Sequence, residues 1–139
     1  MRRFHRRAEI LDGIDLFVGC SRRQLASLAD HAGRLVLRSG TTIARPGQPA
    51  RQLVVVRRGT VEINGRAVWV DPHGPALAIE VQPVIDHGRF DATVRTLTEV
   101  DAVVIDGPAV RRTAPELGRR HERLRPEPSP PGSLAPQAA

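Results

Sequence analysis

Residues 38–63 read RSGTTIARPGQPARQLVVVRRGTVEI. Three β-branched runs, TTIA, QLVVV and TVEI, are separated by Pro46-Gly47 and by Arg58-Gly59, and Asn64-Gly65 follows at once before RAVWV. Runs rich in Val, Ile and Thr bounded by Gly and Pro predict short strands. Asn64-Gly65 is the sharpest hairpin signal, because a two-residue type I′ turn needs positive φ at both central positions. Outward from this block, RLVLR precedes it and ALAIEV, ATVRTL and VDAVVI follow, with further turn signals at Ser39-Gly40 and Asp71-Pro72. About eight short strands at this spacing predict a mainly β domain with flanking helices, a two-sheet jelly roll (double-stranded β-helix) rather than a parallel α/β fold.

Helical signals lie on either side. In SRRQ, Ser21 is placed to cap a helix, with Gln24 reaching back to the free amide. Leu25, Leu28, Ala29 and Ala32 then repeat with helical period, and Cys20 is placed to pack on Leu25. His31 near the helix end suits the dipole. After Gly107, PAVRRT opens with a proline suited to a first helical turn, and Pro115 starts a second piece, PELGRRHERL. Residues 126–139, PEPSPPGSLAPQAA, hold five prolines and few large apolar side chains, so a disordered tail is expected there. The expected organisation is a basic arm over 1–8, one domain over 9–125 and the tail.

A chain of 139 residues, 40% of them apolar, suffices for one modest core. All 21 basic residues are arginine against 15 acidic ones, a formal net charge of +6. The arginines are scattered as pairs and only three Phe and one Trp could stack on bases, so solvated cations are expected rather than specific nucleic-acid recognition. No run approaches the ~20 apolar residues of a membrane span, and no signal-like apolar stretch follows the basic start. With one cysteine no intrachain disulfide can form, which points to a cytoplasmic setting. Neither a Ser-His-Asp grouping nor a Gly-rich phosphate loop stands out, so an enzyme is not expected.

In order and spacing these segments resemble the cyclic-nucleotide-binding domain of the catabolite-activator-like superfamily, from about Leu11 to Arg120. LFVGCSRRQLASLA is similar to the family's opening segment, Gly40, Gly47 and Gly59 stand at its turn glycines, and TVRTLTEVDAVVID resembles its closing strand pair. The resemblance implies a phosphate-binding cassette within IEVQPVIDHGRFDATV, residues 79–94. There the family's glutamate takes the ribose hydroxyl, while its arginine and free amides take the cyclic phosphate.

Carried over position by position, Glu80 matches the glutamate, and Ala92, Thr93 and Val94 match the alanine and the strand after it. Ile79 stands at the glycine, Phe90 at the arginine and Asp91 at the small hydroxyl residue. Arg89 lies one position early, and Pro83 removes an amide from the loop. If a cyclic nucleotide or other small anion still binds, the resemblance assigns it to Glu80, Arg89, Ala92 and Thr93. Phe90 is expected as a plug in the emptied pocket, since a void in a small roll is costly. Pro126 would halt the lid helix of relatives early and leave no room for a helix-turn-helix, so sequence-specific DNA reading is not expected.

Two functions follow. The preferred one is a non-enzymatic regulatory module with an altered pocket and no bound cofactor, working through a protein partner. The alternative is a sensor that retains its anion. A cupin-like metal site from His73, Glu80 and His87 is a third possibility that lacks the usual His-x-His pair.

Overall fold

The computed structural model describes residues 10, 11, 14–113, 115 and 117. Among them run seven strands, β1 (Ala32–Leu37), β2 (Thr42–Ala44), β3 (Gln52–Ile63), β4 (Arg66–Val70), β5 (Leu77–Ala78), β6 (Val94–Thr96) and β7 (Val100–Asp106). Helix α1 (Arg22–Asp30) precedes the strands, α2 (Val81–Ile85) interrupts them and α3 (Gly107–Arg112) follows. All pairings are antiparallel, and β3 belongs to two sheets. Its first half lies in a sheet ordered β1-β7-β3-β5 and its second half in a sheet ordered β2-β6-β3-β4. The expected jelly roll is present.

One strand fewer forms than the turn signals suggest, because QLVVV and TVEI are two halves of β3. Arg57 bulges where the register against β7 shifts between Val56 and Arg58, and Gly59 follows at φ +119°. Bulge and glycine bend the strand from one sheet into the other without breaking it. A Cβ on Gly59 would lie 2.7 Å from the Glu99 carbonyl oxygen, so the bend also brings β3 against the start of β7. ALAIEV shortens to Leu77–Ala78, since Glu80 turns left-handed (φ 41°) and α2 begins at Val81.

The Asn64-Gly65 hairpin forms as expected, with φ of 50° and 83° and with Ile63 opposite Arg66. At α1 the capping box is complete. Ser21 Oγ accepts from the Gln24 amide (3.1 Å), and the Ser21 amide donates to Gln24 Oε1 (2.7 Å). The helix stops sooner than its apolar period, with His31 as its C-cap, its Nδ1 2.9 Å from the Ser27 carbonyl oxygen. Ala32, expected on the helical face, opens β1 instead. Cys20 and Leu25 line one small cavity, in keeping with their packing role.

The core is aliphatic: Leu53, Val55 and Val56 of β3 and Val103 and Ile105 of β7 are fully buried. Leu28 of α1, Val110 of α3 and Leu117 close over it. Each such side chain contributes about 1.5–3 kcal/mol of transfer free energy. Pro108 sits in the first turn of α3, and Leu117 continues helically with its amide on the Thr113 carbonyl (3.1 Å). The remainder of PELGRRHERL, the basic arm and the Pro-rich tail lie outside the described residues. No helix among the described residues is long and apolar enough to cross a membrane.

Candidate functional site

The cassette begins where β5 ends. The Ile79 amide donates to the Val54 carbonyl (2.9 Å), and its side chain is buried in the core. The branched side chain that stands at the family's glycine position packs into the apolar cluster. The left-handed turn at Glu80 (φ 41°, ψ 68°) then starts α2. Such a conformation costs a residue with a Cβ roughly 1–2 kcal/mol and must be held by its surroundings.

Two hydrogen bonds hold it. Glu80 Oε1 accepts from the Asp91 amide (2.9 Å) and Oε2 from the Ala92 amide (3.1 Å). The carboxylate thus clasps the far end of its own loop, and an ionised acceptor makes both bonds stronger than neutral ones. The next amide is also engaged: Thr93 N–H donates to Asn64 Oδ1 at 3.0 Å. In return the Asn64 amide donates to the Thr93 carbonyl (2.9 Å), so the β3–β4 hairpin tip is buttoned to the cassette.

The other half of the loop is stitched to residues 45–50. The Phe90 amide donates to the Gln48 carbonyl, the Gly47 amide to the Phe90 carbonyl and the Ala50 amide to the Gly88 carbonyl, while Pro49 and Arg89 form an isolated bridge. Arg89 is exposed, and its Nη1 donates to the Gly47 carbonyl (2.6 Å). Its guanidinium is therefore engaged by the β2–β3 loop. Phe90 is buried and borders an open groove of about 510 Å³ together with Ile43, Pro49, Arg51 and Val54. Asp91 is exposed.

Pro83 is less disruptive than its sequence position suggests. It is the third residue of α2, where an amide has no intrahelical acceptor in any case, and its carbonyl accepts from the Gly88 amide (2.8 Å). His73 lies exposed in a turn, its amide on Asp71 Oδ1 (3.0 Å), and His87 is exposed with φ 56°. Among the described residues no three His, Cys, Asp or Glu side chains converge on a possible metal position, so His73, Glu80 and His87 are not brought together.

Asn64 is the site residue that sequence reasoning missed. Its turn role was visible, but nothing local revealed that its side chain would take the Thr93 amide 29 positions away.

A bent-strand roll with a short helix and a glutamate-clasped loop between its later strands defines a domain of the cyclic-nucleotide-binding type. The model of the cyclic nucleotide-binding domain family matches residues 34–114, and the chain belongs to that family. No curated protein sequence matches it. Among solved structures it is similar to a cyclic nucleotide-binding-like protein from Brucella abortus, at 26% identity over 79% of this chain and 98% of that one, TM-score 0.58. The sensor domain of the transcriptional regulator DNR from Pseudomonas aeruginosa superposes at TM-score 0.65, with 18% identity over 89% of this chain and 87% of that one. A regulatory subunit of a cAMP-independent protein kinase A from Trypanosoma brucei reaches TM-score 0.71, with 20% identity, over 88% of this chain and 45% of that one.

Proposed function

We propose that this domain is a non-enzymatic regulatory module of the cytoplasm that works through protein contact, its phosphate cassette closed by its own side chains. The supporting observation is that the three consecutive amides of Asp91, Ala92 and Thr93 already have acceptors, in Glu80 and Asn64. A cyclic phosphate entering here must displace a carboxylate from two charge-assisted bonds and then sit near it and near Asp91. Two like charges at 4 Å repel by about 1–4 kcal/mol between bulk-water and protein-surface dielectrics, a penalty of about five- to thousand-fold in affinity. The family's arginine position holds buried Phe90, which offers no cation to offset this. That the fold can serve regulation without cyclic AMP is consistent with the trypanosome subunit named above.

Calorimetric titration with cyclic AMP and with cyclic GMP tests the proposal. No saturable heat is expected up to millimolar ligand, and the purified protein should carry no excess absorbance at 260 nm. Saturation at micromolar ligand, lost in Glu80→Ala and Arg89→Ala, would overturn the module in favour of a sensor.

A further inference from the structure

β4 is an edge strand that pairs, among the described residues, only with β3. Edge strands invite pairing, and proteins commonly guard them with charges, bulges or brevity. The other edges have such guards. β1 carries Arg34 and is followed by Arg38, so two β1 strands paired about Val36 would set Arg34 against Arg38 twice. β2 has three residues and a register shift, and β5 has two residues. β4, RAVWV, has one charge, Arg66, at its end. On its outer face stand Ala67 and Trp69, the latter 69% exposed and the chain's single tryptophan.

We propose that β4 pairs antiparallel with β4 of a second copy of this chain, extending the β2-β6-β3-β4 sheet across a two-fold axis. The period of two restricts the register, since opposed residues must share a face and the outer face (Ala67, Trp69) must stay outermost. Pairing all five residues sets Val68 opposite Val68, Ala67 opposite Trp69 and Arg66 opposite Val70. Each indole then lies over the small side chain of the other copy's Ala67, with Thr60 beside it on β3. No like charges meet. A slip by two residues would leave Trp69 opposite Gly65 in one direction and opposite the other copy's Trp69 in the other, and either slip pairs only three strand residues of each copy, which favours the full overlap. A self-complementary register, with bulky Trp69 matched to small Ala67 and no like charges opposed, thus selects a second copy over an unrelated strand. This inference deepens the protein-contact reading and rests on it for its functional meaning, although self-pairing stands or falls without any nucleotide.

The full chain should be followed by sedimentation and by tryptophan emission as its concentration is raised from micromolar toward millimolar, the range in which a small interface saturates. The sedimenting mass should double while emission moves to shorter wavelength, because Trp69 leaves water and no tyrosine contributes. Ala67→Lys should abolish both changes and spare the fold, since the new ammonium faces Glu62 on β3. Trp69→Arg, checked for folding by circular dichroism, should sediment as a monomer throughout. A wild-type monomer with unshifted emission at every concentration overturns the proposal, as does a dimer that survives both substitutions or an emission shift seen only with a foreign protein. Nucleotide binding in the calorimeter would overturn the module reading without touching this outcome, so the two failures are distinguishable.

Discussion

Asn64 and Thr93 exchange two hydrogen bonds, the Thr93 amide donating to Asn64 Oδ1 at 3.0 Å and the Asn64 amide to the Thr93 carbonyl at 2.9 Å. A turn residue chosen for its left-handed backbone thereby also holds the cassette in place. The two roles can be separated. Asn64→Gly keeps the positive φ of 50° but loses the side-chain acceptor, and should cost about 1 kcal/mol. Asn64→Ala loses both and should cost about 2–3 kcal/mol. Denaturant unfolding at matched slope measures the difference.

Glu80 offers a second separation of strain from bonding. Glu80→Ala removes the acceptor for the Asp91 and Ala92 amides while keeping a Cβ at φ 41°, so a loss of about 2–3 kcal/mol is expected. Glu80→Gly removes the same acceptor but relieves the left-handed strain, and should recover roughly 1 kcal/mol of that loss. If the two variants unfold at the same denaturant concentration, the surrounding structure does not impose the strain.

These contacts mark where sequence reading ended. Asn64-Gly65 and the Ser21–Gln24 box were legible because their physics is complete within four residues. The bend in β3 was not, because Arg58-Gly59 carries the same residue chemistry whether the chain turns back or merely changes sheets. The family resemblance set Glu80 at the head of the cassette. It could not show that the carboxylate would take amides 11 and 12 residues later, since that depends on the turn at Glu80 and on how α2 returns the chain. Arg89 shows the same limit. Nothing local revealed that its guanidinium would donate to the Gly47 carbonyl 42 residues earlier.

Gly59 and Gly40 form a natural control pair. Both have positive φ, +119° and +86°, but a Cβ on Gly40 meets nothing within 4 Å, whereas one on Gly59 meets Glu99 O at 2.7 Å and Val100 Cγ2 at 2.8 Å. Gly40→Ala should cost about 1–2 kcal/mol, the backbone term alone. Gly59→Ala adds a clash with backbone in the bend that joins the two sheets, and should cost about 3 kcal/mol or more. Thermal melts of the two variants give the comparison, and equal losses would mean that the bend relaxes freely.

Phe90 is 6% exposed at the position where the resemblance expects an arginine, with its amide and carbonyl both tied to the β2–β3 loop. Its backbone is thus held whatever the side chain, which makes the ring's contribution measurable. Phe90→Ala should cost about 3–5 kcal/mol, whereas Phe90→Leu, which keeps most of the volume, should cost less than about 1.5 kcal/mol. Phe90→Arg tests the same position from the family's side. Burying a guanidinium without a paired carboxylate should destabilise the fold at least as much as Phe90→Ala. Added cyclic AMP should not restore the loss in this variant, because the Asp91 and Ala92 amides remain on Glu80. A rise in melting temperature with cyclic AMP in Phe90→Arg alone would show instead that the missing cation, and not the clasped carboxylate, is what keeps the cassette from its ligand.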